Sequence, residues 1–115
     1  HLMPYLKQAR TNGATLVVID PRATTVARQA DIHLAIRPGT DVAVALALHR
    51  HLFDSGAADR AFLDAHTTGW ERLRERASAW TIERAAEVSG LRAADLDRVA
   101  RLYAAASPAL VKCGW

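Results

Sequence analysis

Residues 17 to 41 read VVIDPRATTVARQADIHLAIRPGTD, and two polar turns in this stretch carry the side chains with the most chemistry to offer. In the first, Asp20-Pro21-Arg22, a carboxylate stands immediately past an apolar run, where it can accept hydrogen bonds from both hydroxyls of a ribose. Its plainer role is that of a turn-forming Asp before Pro. Arg22 offers a guanidinium that can fork onto a diphosphate or stack on a base, against the plainer role of a surface Arg. Thr24 can give its hydroxyl to a phosphate or cap the helix that starts there. In the second turn, Pro38-Gly39-Thr40-Asp41, Gly39 permits a positive φ or a close approach of backbone to a ligand, and Thr40 sets a hydroxyl beside it. Asp41 stands at a helix start, where the simple role is an N-cap. The sharper alternative is that its two oxygens face the N1–H and 2-amino donors of a guanine, an edge a carboxylate matches in bidentate fashion.

The other chemistry-bearing residues are less suggestive. No G-x-G-x-x-G and no G-x-x-x-x-G-K-[ST] occurs, so any diphosphate must be held mostly by residues outside the usual glycine loops. His49 and His51 flank Arg50 at a spacing that points them to different faces of a helix, and His33 and His66 are isolated, so no metal site is assigned. The single cysteine, Cys113, excludes an internal disulfide and any four-cysteine metal site within these residues. It reads as a small buried residue. Trp70, Trp80 and Trp115 read as core and interface anchors.

Both turns need elements to hold them. Residues 3 to 11 pattern as a short amphipathic helix stopped by Asn12-Gly13. Thr15 to Ile19 is a continuous β-branched and apolar run that suits a strand covered on both faces, as in a parallel sheet. Thr24 to Ala30 predicts a short helix, and Ile32 to Ile36 a second strand ended by Pro38-Gly39. The connection between the strands is near the short limit for a parallel crossover, so parallel and antiparallel pairing both remain open. Parallel strands put both turns on one rim of the sheet; antiparallel strands put them at opposite ends, where they share no ligand. From Asp41 the pattern is helical: a mostly apolar helix to about Ser55-Gly56, then Asp59 to His66, then a helix to about Ala79 opened by a Thr68/Glu71 capping box, then Thr81 to Val88 and Ala93 to Ala106.

Of the 115 residues 50% are hydrophobic and 23% charged, the composition of one soluble globular unit. The net charge of +3 comes from Arg dispersed among Glu71, Glu75, Asp95 and Asp97. With no block of like charge, this reads as a solvated mixed surface and argues against nucleic acid as a partner. No apolar run approaches the ~20 residues that span a bilayer, so no direct membrane contact is expected. The opening HLMPYLKQAR lacks signal-peptide features. A start at His1 and a β-like run cut off at Val111 to Trp115 lead to the expectation of a piece of a longer polypeptide.

The segment VVIDPRATTVARQADIHLAIRPGTDVAVALAL resembles the molybdopterin oxidoreductases of the dimethyl sulfoxide reductase family, which includes formate dehydrogenases, periplasmic nitrate reductases and sulfoxide reductases. The similarity continues through ADRAFL at 58–63, HTTGW at 66–70 and ERAAEVSG at 83–90, so it spans essentially the whole chain. The resemblance implies an α/β domain that binds the guanine end of one of two molybdopterin guanine dinucleotides, with contacts from Asp20, Pro21, Arg22, Ala23 and Thr24 and from Gly39, Thr40 and Asp41. It implies a bis-molybdopterin guanine dinucleotide with molybdenum or tungsten, an iron–sulfur cluster and a metal ligand in segments outside this chain, and no catalytic residue within it. The intact bacterial protein would be an oxidoreductase acting on a small substrate such as formate, nitrate or a sulfoxide, with the rest of its own polypeptide and an electron-transfer subunit as partners, in the cytoplasm or periplasm.

The fold class expected is therefore α/β: a fragment of a Rossmann-like parallel-sheet domain of two to three strands with a helix-rich C-terminal half. Residues 1–56 would form the nucleotide-binding half, 57–108 a helical segment, and 109–115 the start of a further strand. The residues offer two alternatives. TIERAAEVSGLRAADLDRVARLYA superficially resembles a helix-turn-helix DNA-binding module, but Asp95 and Asp97 stand where bases and phosphates would approach. A free-standing nucleotide-binding module would need a fuller sheet than two clear strands.

Overall fold

The computed structural model describes residues 2–114. Helix α1, Met3–Thr11, carries a Pro in its first turn, where no backbone donor is lost. Strand β1, Val17–Ile19, helix α2, Thr25–Gln29, and strand β2, Ile32–Leu34, follow as one strand-helix-strand unit. The strands pair in parallel, with Val17 opposite Ile32, Val18 opposite His33 and Ile19 opposite Leu34. A helix of only five residues makes the crossover possible, and the side chain of Thr24 caps it by accepting from the Ala27 amide. The pairing left open by the sequence is thus parallel.

The chain then becomes helical: α3 Asp41–Asp54, α4 Arg60–His66, α5 Trp70–Ala77, α6 Ile82–Ser89 and α7 Ala93–Ala105. Ile32, Leu34 and Ile36 alternate along one face and enter a core with Val44 and Ala47 of α3, Ala85 of α6, and Leu96 and Val99 of α7. Helix α3 lies at the centre of the helical half, packing on α5, α6 and α7. Its small buried residues, Ala43 and Ala47 beside Val44 and Leu46, let these neighbours come close.

Several sequence expectations are corrected. The capping box at Thr68/Glu71 does not form, because Gly69 takes the N-cap position of α5 with a φ of 81° and no side-chain cap. That shifts Thr68 out of register and leaves Glu71 in the first turn, where its charge meets the positive helix end. Cys113 is exposed, since residues 109–114 lie outside the packed core. Those residues form no strand here; a strand needs a neighbour to bond with, and the described strands pair only with each other. β1 is half-buried rather than covered on both faces, with Val17 and Val18 partly covered and Ile19 40% exposed, because the described helices cover its faces only in part. Trp70 is buried and Trp80 packs against the core, while Trp115 lies outside the described residues.

The helix-turn-helix alternative finds no support. Helices α6 and α7 pack on each other and on α3, and the side chains of Arg92, at the N-cap of α7, and of Arg101 within it are paired to Asp95 and Asp97. The architecture observed is a helix-rich unit around a small parallel sheet.

Candidate functional site

Parallel pairing sends both polar turns to the same rim, because Ile19 and Leu34 end their strands side by side. The first turn is built on Asp20. Its amide donates to the Leu34 carbonyl at 3.2 Å, extending the ladder by one residue. Its Oδ1 accepts from the Arg22 amide at 2.7 Å, an Asx turn that the following Pro favours. The Asp20 carbonyl accepts from His33 Nε2 at 2.8 Å, which fixes the imidazole tautomer with its proton on Nε2. The turn-forming role of Asp20 is therefore realised, and its second carboxylate oxygen carries no hydrogen bond from another described residue. Arg22 is exposed, with its guanidinium in no ion pair or hydrogen bond among the described residues. The Ala23 carbonyl is taken by Arg28 Nη1, and the Thr24 hydroxyl caps α2.

The second turn closes with the Thr40 amide on the Arg37 carbonyl at 3.2 Å, and the Thr40 hydroxyl donates to the same oxygen at 2.6 Å. Pro38 and Gly39 occupy the two central positions, and Gly39 has a φ of 80°, the pairing such a turn requires. A Cβ built on Gly39 meets nothing within 4 Å, so the glycine answers the backbone conformation and leaves open space above it. Asp41 is the first residue of α3 rather than its N-cap; Thr40 holds that position and makes no side-chain cap. The exposed Asp41 carboxylate faces no described partner, at a helix end whose partial positive charge favours it. Exposed apolar neighbours flank both acids: Ile19 at 40% and Val42 at 65%.

Sequence reasoning missed two supporting residues. His33, isolated in the sequence, reaches the Asp20 carbonyl only through the strand register. Arg37 reaches α6, fifty positions on, where its Nη1 donates to the carbonyls of Glu87 at 3.0 Å and Val88 at 3.2 Å. At the opposite rim Asp31 ties the strand starts together, accepting from the Leu16 amide at 2.8 Å and pairing with Arg10 at 2.9 Å. The Leu16 bond, and then Arg10, hold the Asp31 carboxyl below the usual aspartate range.

Two clefts lie elsewhere. One of about 350 Å³ runs between α3 and α6 past Arg50, Asp54, Trp80 and Glu83, and one of about 370 Å³ is lined by Phe53, Phe62, Trp70 and Tyr103. Neither includes a residue of the two turns, which form an open ledge. Among the described residues no group of three or more His, Cys, Asp or Glu comes together as a metal site.

The ledge offers one free cation, two carboxylates with unused oxygens, a threonine hydroxyl and exposed apolar surface. That donor set fits the polar ends of a nucleotide: hydroxyl pairs and base N–H groups for the acids, phosphate for the Arg.

Comparison with known proteins identifies the family rather than the ligand of these turns. The family model described as Molybdopterin oxidoreductase matches residues 2–114. "Probable oxidoreductase YoaE" of Bacillus subtilis (strain 168) is 36% identical over 114 residues, 99% of this chain and 17% of that protein. Formate dehydrogenase H of Escherichia coli (strain K12) is 33% identical over 106 residues, 92% of this chain and 15% of that protein. The solved structure of acetylene hydratase from Pelobacter acetylenicus superposes with a TM-score of 0.84 at 35% identity, covering 92% of this chain and 15% of that one. The chain thus spans less than a fifth of the length of these relatives.

Proposed function

The chain belongs to the molybdopterin oxidoreductase family, and from that membership we propose that it forms part of a Rossmann-like domain holding the guanine nucleotide end of a molybdopterin guanine dinucleotide. The observation that carries the reading is the parallel pairing of β1 and β2, which puts Asp20 to Thr24 and Gly39 to Asp41 on one rim. Charge divides the work between them. Two carboxylates repel phosphate, so the diphosphate falls to the free Arg22 guanidinium and the Thr24 hydroxyl. The unused oxygen of Asp20 accepts from ribose hydroxyls, and Asp41 accepts from the N1–H and 2-amino groups of guanine. Pro21 and Ala23 shape the first turn, while Gly39 and Thr40 hold the second open beside the base. Ile19 and Val42 offer apolar surface next to each acid for the flat faces of the ligand.

In this reading the cofactor is the bis-dinucleotide form with molybdenum or tungsten, and it supplies the redox chemistry through the metal when bound. The residues described here hold one end of it and take no part in electron transfer. The intact protein would be a redox enzyme acting on a small substrate such as formate, nitrate or a sulfoxide, with its metal ligand and an iron–sulfur cluster supplied by the remaining polypeptide and an electron-transfer subunit docking onto it.

The test is guanosine monophosphate released by acid hydrolysis from the intact protein and its variants. Asp41→Ala loses a bidentate pair with the base, of about 1–3 kcal/mol by analogy with base recognition, and retains less nucleotide after dialysis. Asp20→Ala behaves alike, while Asp95→Ala, paired within α7, matches the parent. Equal nucleotide in all four proteins would reject the assignment of these turns.

A further inference from the structure

Arg37 stands immediately before the Pro38-Gly39 turn, yet its side chain points away from the ledge. Its amide donates to the Ser89 carbonyl at 2.8 Å, and its Nη1 donates to the Glu87 and Val88 carbonyls at 3.0 and 3.2 Å. These three successive carbonyls belong to the last turn of α6, whose acceptors have no partner within the helix and whose end carries partial negative charge. One residue therefore satisfies a helix terminus, and its own carbonyl takes both the amide and the hydroxyl of Thr40. The contact has a second half at Gly90. A Cβ built there would lie 3.1 Å from Arg37 Nε and 3.3 Å from its Cγ and Cζ, so the absent side chain is the seat of the guanidinium stem. The φ of 76° explains a glycine at this helix end, but Gly56 closes α3 with a φ of 74° and meets nothing within 4 Å. Only Gly90 is constrained twice.

We infer that Arg37 is a positioning residue: clamped on α6 across Gly90, it fixes the turn that presents Gly39, Thr40 and Asp41, and thereby sets how tightly the nucleotide end is held. This rests on the nucleotide reading given above. It also assigns the helical half a task, since α6 becomes the abutment for one of the two turns.

The experiment uses the intact protein and two readouts that do not involve turnover: guanosine monophosphate remaining per chain during dialysis, and hydrogen exchange over residues 38–41, read at the Thr40 amide that bonds the Arg37 carbonyl, compared with α5. In Arg37→Ala, nucleotide leaves about threefold to tenfold faster, the scale of one partly solvated hydrogen bond to a charged group. Exchange rises over 38–41 and stays unchanged over α5. Arg37→Lys, which keeps the charge on a single-headed donor, recovers part of both effects. Gly90→Ala, whose Cβ pushes the Arg37 side chain by a few tenths of an ångström, moves both readouts in the direction of Arg37→Ala but by less, whereas Gly56→Ala, with the same backbone strain and no such contact, leaves both at the parental level. Parental retention and parental exchange over 38–41 in Arg37→Ala would overturn the inference. A parent that releases no guanosine monophosphate would instead overturn the nucleotide reading on which it rests.

Discussion

Asp31 shows what a single side chain does in this unit. It binds the Leu16 amide and Arg10 at once, joining the starts of both strands, and the Leu16 bond is the larger reason its carboxyl stays ionised below the usual aspartate range. A depressed folded-state pKa means the stabilisation is complete above the unfolded-state value and fades as pH falls through the folded-state value. Asp31→Asn therefore unfolds at a lower temperature than the parent at neutral pH, and the gap narrows at about pH 3, below the ordinary aspartate value. An equal gap at both pH values in thermal unfolding would contradict this role. Neither Asp31 nor Arg37 was legible as a brace in the sequence, because each acts on a partner fixed only by register or by packing of distant elements. The turn-forming role of Asp20 was legible, because a carboxylate just past a strand end and before Pro already limits what it can do.

Helices in this chain are set by caps as well as by apolar spacing, and the two signals differ in reliability. Thr81 and Asp59 cap α6 and α4 through bonds to the Arg84 amide at 3.0 Å and the Phe62 amide at 2.9 Å. The Thr68/Glu71 pattern failed because a glycine in the left-handed region can open a helix one residue later than the pattern expects. Strand direction was not readable, since a five-residue helix is compatible with either pairing until the core selects one. That core depends on α7, whose Leu96 is fully buried among Ile36, Val44 and Ala85. Leu96→Ala should lower the unfolding free energy by about 2–5 kcal/mol in urea denaturation, the range for a buried leucine that leaves a cavity. A loss under about 1 kcal/mol would show that α7 docks more loosely than its burial implies.

At the scale of the whole molecule, the parallel unit and the helical half have different duties. The strands bring two turns to a common rim, and the helices bury one face of the sheet and brace the second turn through α6. The sheet has two strands and open edges, and the chain covers 17% or less of the three relatives described above; under the function proposed above, its role is to hold one end of a cofactor in a larger enzyme. The resemblance carried by the D-P-R and P-G-T-D turns reached the family, whereas the exposure of Cys113 and the coil at 109–114 depend on surroundings that no local pattern encodes. The most direct test is to purify the intact protein from molybdenum-replete cells and determine bound metal by plasma mass spectrometry alongside guanosine monophosphate released by acid. The account predicts molybdenum or tungsten together with twice its molar amount of guanosine monophosphate; folded protein with neither would contradict it.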